Sequence, residues 1–203
     1  MTKIFNHVFK CQQCGECCSK YCIPITHTDL YRILRHLGKE INIENISEIV
    51  EFIEPDDEVL DTYDDVPKIL LSNYANDNLV MVIQGEDYCQ FFDGVGCSIY
   101  PVRPLVCRFF PFTYEFVDDD EDYSNPESKE VVFELNPDTD YCKGKTEGKL
   151  FDFEKLKQEV YNTTREDVKF EKVVSAWNVS VIFNQREDYH EEAFYEYLIN
   201  LKD

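Results

Sequence analysis

Five of the chain's nine cysteines fall between residues 11 and 22, in CQQCGECCSKYC. A stretch this dense in thiols and this poor in ordinary apolar residues does not read as a plain helix or strand; it reads as a ligand loop. Cys11, Cys14, Cys17, Cys18 and Cys22 form overlapping CxxC pairs with a vicinal pair among them. A two-residue gap lets two sulfurs reach one metal while the intervening N–H groups turn toward them, and Gly15 permits backbone angles that other residues resist. The competing reading is a helix that buries Cys11, Cys14, Cys18 and Cys22 as a stripe of small hydrophobes.

Redox compartment decides how the other cysteines are read. The N-terminal MTKIFNHVFK has no uninterrupted apolar core of a leader, and no apolar stretch reaches the roughly 20 residues of a bilayer span. A cytoplasmic location without membrane attachment is therefore expected. In that reducing compartment disulfides do not persist as structural links, and nine thiols cannot all pair within one chain. Metal chemistry remains.

The four other thiols, Cys89, Cys97, Cys107 and Cys142, lie far along the chain, so a shared metal would tie the loop to distant segments and couple folding to occupancy. Adjacent side chains diverge in a strand and stand about 100° apart in a helix, so Cys17 and Cys18 suit two irons of a cluster, or two neighbouring sites, better than one ion. The loop starts like the bacterial ferredoxin run CxxCxxCxxxCP but places Cys22 and Pro24 late. Zinc–thiolate sites pair CxxC knuckles, and no second CxxC follows. Spacing alone leaves the metal open. Arg103 and Arg108 flank Cys107; near thiolates they would donate to sulfur and raise a cluster's reduction potential, while the alternative is pairing with surface carboxylates. Pro104 suits the start of a short helix that aims Cys107 inward.

Other donors carry less. The four histidines, His7, His27, His36 and His190, are scattered without ligand spacing; His7, nearest the loop, is a distant option for a zinc ligand. The acidic run from Asp118 to Asp122 lacks the alternation and central glycine of a calcium loop. With 20 basic against 41 acidic residues and a formal charge of −21, the chain has no broad basic surface for nucleic acid or anionic lipid, and a protein partner is expected. Aromatic content of 14% places that charge on an ordinary packed fold.

The expected fold class is α+β: a small single domain with irregular cysteine-rich loops, a short antiparallel sheet and surrounding helices. Thr26 with Asp29, then Leu30, Ile33, Leu34 and Leu37 before Gly38, predicts an amphipathic helix. Ile46, Ile49, Val50 and Ile53 predict a second over 44–53, and the acidic stretch beyond Pro55 a surface loop. A strand is expected over 78–83, and a hairpin pairing 109–117 with 130–135. Helices are expected over 151–161, 164–177 and 186–201, a helical extension over 148–203 with no chemistry of its own, packed on a metal-binding domain over 1–147.

The combination of CQQCGECC, YCQFF, GCSIYPVRPLVCRFFPF and YCKG resembles the CxxCxxCC cysteine-cluster family of zinc- or iron-chelating proteins, over roughly residues 11 to 145. The resemblance implies a metal-chelating domain with eight recurring thiols, here Cys11, Cys14, Cys17, Cys18, Cys89, Cys97, Cys107 and Cys142, and leaves Cys22 outside that set. Some relatives are larger flagellin lysine N-methylases associated with an iron–sulfur centre. The expected function is thus an iron–sulfur cluster protein serving electron transfer or a partner enzyme. Second comes a zinc-binding structural, interaction or zinc-handling protein. A cluster-dependent, protein-modifying enzyme ranks third, because no glycine-rich loop after a strand suggests a site for S-adenosylmethionine.

Overall fold

A computed structural model describes residues 8–20, 22–54, 66–74, 79–85, 87–117, 123–136, 139–146, 149–150 and 152–201. Its first helix, α1, spans His27–His36. Thr26 and Asp29 close the capping box, each side chain accepting the other's backbone N–H at 3.2 Å. Leu30, Ile33 and Leu34 bury the inner face, worth about 1.5–3 kcal/mol each relative to exposure. Leu37 caps the helix and is partly exposed, and Gly38 follows at φ +68°, the stop its position suggested.

The second helix departs from expectation. Helix α2 covers only Ile43–Ser47, and Val50–Ile53 is strand β2, antiparallel to β3 at Val80–Ile83 with Val50 opposite Ile83. Ile46, Ile49, Val50 and Ile53 satisfy a helical spacing, but Val50 and Phe52 point inward around exposed Glu51, which is a strand's period. Cross-strand partners supplied by the wholly buried β3 override the local pattern. Asn78, at the edge of the strand expected there, and the acidic stretch 55–65 lie outside the described residues.

The expected hairpin forms in shorter register: β4, Phe112–Phe116, pairs with β5, Val131–Leu135, Phe112 facing Leu135 and Phe116 facing Val131. Phe109 belongs instead to the one-turn helix α3, Val106–Phe109. A two-residue ladder, β1 at Val8–Phe9 with β6 at Lys149–Leu150, was not evident from the sequence. Together these make an α+β domain of five helices and three two-stranded antiparallel ladders among the described residues.

Helix α4 runs unbroken from Phe153 to Ile182, where two helices were expected. Residues 162–163, left between the two expected helices, are helical; the Thr163 and Thr164 hydroxyls are satisfied inside the helix by carbonyls one turn back, Glu159 at 2.9 Å and Val160 at 3.0 Å. Its N-terminal half packs Leu156, Val160 and Tyr161 against Phe109, Phe112, Val131 and Phe133. Its second half carries Phe170, Val174 and Trp177 into the main core with α1, β2, β3 and α5, Glu191–Ile199. The C-terminal segment is thus shared scaffold for both cores. No helix among the described residues is long and apolar enough to cross a membrane.

Candidate metal centre

Four separated segments bring the cysteines to one place. The loop after β1 winds into a tight turn, with Ser19 N–H donating to Gly15 C=O at 3.1 Å. Gly15 sits at φ +79° with the Phe92 ring where a side chain would be, so any Cβ there would collide with the aromatic ring. The second segment docks on this turn: Cys89 N–H donates to Cys18 C=O at 2.9 Å, and Cys97 N–H to the Gln13 side-chain oxygen at 3.3 Å. Asp93 ties the intervening turn, accepting from Val95 and Gly96 N–H at 2.8 Å each.

Cys107 rides on α3. Its N–H donates to Pro104 C=O at 3.0 Å, and Leu105 N–H donates to the buried carboxylate of Asp29 at 3.3 Å. The fourth segment enters beside the first, with Lys10 N–H donating to Gly144 C=O at 3.1 Å and Cys142 N–H to Thr139 C=O at 2.9 Å. All nine cysteines, including Cys22, line one cavity of about 1260 Å³. Among the described residues no three His, Cys, Asp or Glu side chains are drawn into a group that could hold a metal ion. What fits a metal is the donor set itself: soft thiols from four segments facing a common space.

Electrostatics agree with that crowding. The Cys18 hydrogen bond raises the Cys17 thiol above the ordinary range, with burial adding to it. Burial pushes Cys89 up to about 11 and holds Cys107 well above ordinary, with neighbouring Cys17 and Cys89 contributing. Burial also raises Cys97, against an opposing pull from Arg103, and Cys142, whose neighbours Cys14, Cys17 and Cys11 add to the effect. These thiols hold their protons at neutral pH, so a metal that binds them must displace protons.

The two arginines diverge. Arg103 lines the cavity, donates to Cys107 C=O at 3.3 Å and Tyr100 C=O at 2.9 Å, and stacks 4.1 Å from the Tyr100 ring. Arg108 donates to Arg103 C=O at 3.1 Å and pairs with Glu159 of α4 at 3.0 Å. Sequence reasoning missed Tyr100, hydrogen-bonded to Cys11, and Gln13. It also missed Thr163, Thr164 and Asp167, which bring α4 to the cavity wall. Tyr100 lies inside the motif GCSIYPVRP and was open to notice; Gln13 carries no such signal. Among the described histidines, His27 packs on Tyr31 and Phe170, His36 lies in the last turn of α1, and His190 caps α5. His7 lies outside the described residues.

Residues 10–143 match the CxxCxxCC family, described as a zinc- or iron-chelating domain. Neither the curated proteins nor the solved structures give a match. With well over half its length covered, the chain belongs to the CxxCxxCC family of zinc- or iron-chelating domains.

Proposed function

We propose that the protein is an iron–sulfur protein in which Cys11, Cys14, Cys17, Cys18, Cys89, Cys97, Cys107 and Cys142 hold iron, and that the centre passes electrons to, or otherwise serves, a partner enzyme. The observation that carries this reading is the convergence of thiols from four segments on one cavity, with the adjacent Cys17 and Cys18 thiols hydrogen-bonded to each other. Eight thiols are more than the four that one tetrahedral ion takes, so the set suits a polynuclear centre. Arg103 supplies a positive charge beside Cys97 and Cys107. Such a cluster, when bound, supplies one-electron chemistry.

The chemistry of the donors also favours a second reading, since an all-thiol set equally suits zinc, as the family description allows. Purification without oxygen from iron-sufficient cells separates the two. The expected product is brown, carries iron with acid-labile sulfide, and bleaches in air. Colourless protein with stoichiometric zinc and no sulfide would replace this reading with a zinc-binding interaction or zinc-handling module.

A further inference from the structure

Helix α4 buries one face and leaves the other bare at its C-terminal end. Phe170, Val174 and Trp177 point into the main core. On the opposite side Val179, Ile182 and the cap residue Phe183 are 49, 62 and 68% exposed, and exposed Ser175 and Ala176 stand about one turn before them. At about 100° per residue these five positions and Lys172 share one face of the helix. Single exposed apolar residues are ordinary, but a contiguous set on one helix face marks a contact surface.

We propose that this face is a self-association surface, on which a second copy of the chain packs antiparallel about a two-fold axis passing near Val179. The occupant follows from the order of residues along the face, which is complementary to its own reverse. Small Ser175 and Ala176 lie on one side of Val179, and large Ile182 and Phe183 on the other. In an antiparallel pair Phe183 of each copy enters the space over Ser175 and Ala176 of the other, Ile182 lies against Ala176, and Val179 meets its counterpart. Charge runs in the same sense. Exposed Lys169 and Lys172 precede the apolar set and exposed Glu187 and Asp188 follow it, so the basic end of each copy meets the acidic end of the other. Arg186 folds its guanidinium back over Trp177, 4.3 Å from the ring, and Glu171 faces the cysteine cavity, so neither reverses the sign of its end.

A parallel pair would instead set lysine against lysine and leave the small residues facing each other across a gap. The antiparallel pair is self-complementary in both shape and sign, which is what a two-fold interface demands. It is also weak. Each copy carries a formal charge of −21, so long-range repulsion opposes the pair, and the patch is small; association is expected at about 10–100 μM. No residue from Lys172 to Phe183 lines the cysteine cavity, so the pairing uses a separate face and does not depend on which metal the thiols hold.

Sedimentation equilibrium of the full chain over about 1 to 300 μM, on either side of that affinity, reads the association directly. Wild type is expected to show a monomer–dimer equilibrium that stops at the dimer. Phe183→Ser is expected to weaken it about tenfold or more, and Ala176→Gln, which keeps the apolar residues but fills the space they enter, by a similar factor. Lys172→Glu is expected to weaken it as well, and Lys172→Glu combined with Glu187→Lys to recover most of that loss, since only the antiparallel register brings those two positions together. These side chains are all exposed, so helix content by circular dichroism should stay at the wild-type value. A wild type that remains monomeric throughout, or a dimer that Phe183→Ser and Ala176→Gln leave unchanged, overturns the proposal. Assemblies beyond the dimer, or a double charge variant no tighter than Lys172→Glu alone, overturn the closed antiparallel pair.

Discussion

Asp29 joins α1 to the Cys107 turn: its carboxylate closes the helix cap and also accepts the backbone N–H of Leu105 at 3.3 Å, two residues before the cysteine. The side chain is buried, and it pairs with Arg32. Burial raises its pKa, against the pull of Arg32 and of the Thr26 and Leu105 hydrogen bonds. Asp29→Asn keeps the shape but turns an amide toward donors, and is expected to lower stability by about 2 kcal/mol. Urea unfolding followed by circular dichroism measures this, and the same variant should lose metal to a chelator faster than wild type. An unchanged midpoint would show that the carboxylate does not hold the turn.

Trp177, fully buried, donates its indole N–H to Leu70 C=O at 2.9 Å and meets Phe194 edge-on at 5.0 Å between centroids. Trp177→Ala removes a large side chain where α4, α5 and the segment before β3 meet, and is expected to cost about 3–5 kcal/mol. Trp177→Phe fills most of the space but orphans the carbonyl, so a smaller loss of about 1–3 kcal/mol is expected. Circular dichroism is the readout, since Trp177 is the chain's single tryptophan. Equal losses in the two variants would mean that packing contributes nothing beyond the hydrogen bond.

Tyr195, on α5, gives a pH dependence of its own. Burial raises its phenol above the ordinary tyrosine range, and nearby Glu191 adds to the shift. An acid whose pKa is higher in the folded state binds more protons there, so its contribution is fully present below the ordinary value near 10 and is lost as pH rises through the folded value. Stability should therefore decline on the alkaline side, and less steeply in Tyr195→Phe. Parallel curves for the two proteins would remove Tyr195 from the account.

The contrast between α1 and the stretch after it shows what was legible. In α1, cap, apolar stripe and stop all agree, and the helix lies where they place it. In residues 44–53 the pattern fits two periods at once, and only the buried partner strand decides in favour of β2. The site divides in the same way. Spacing marks the cysteines as a set because thiol chemistry is written in residue type. The second duty of Asp29, the turn of Arg108 toward Glu159 and the α4 residues on the cavity wall depend on neighbours more than fifty residues away, which no local window contains.

Removing metal should loosen the chain unevenly. Among the described residues, the loop over 11–22 and the turn bearing Cys142 have few backbone bonds of their own, whereas α4 and α5 are held by packed cores. Hydrogen exchange with and without chelator should show protection lost around the cysteines and kept in Val174–Ile182 and α5. Equal protection of the loop in both samples would mean that it is ordered without metal.

The arginines offer the sharpest test of an iron–sulfur centre, because their positions differ while their charge does not. Arg103 lines the cavity, and its charge partly opposes the burial that raises the Cys97 thiol. Arg108 spends its guanidinium on Arg103 C=O and on Glu159. A positive charge near cluster sulfur favours the reduced, more negative state, so it raises the reduction potential. Arg103→Ala is therefore expected to lower the potential with iron and sulfide retained. Arg108→Ala should move it less and act mainly on stability, by loosening α3 from α4. Arg103→Lys separates charge from geometry: it restores most of the potential if charge near sulfur is the cause, and little if the planar contacts to Tyr100 and Cys107 C=O are what matter. Protein-film voltammetry of the four proteins reads all of this directly, and a larger shift in Arg108→Ala than in Arg103→Ala would contradict the placement of the two side chains.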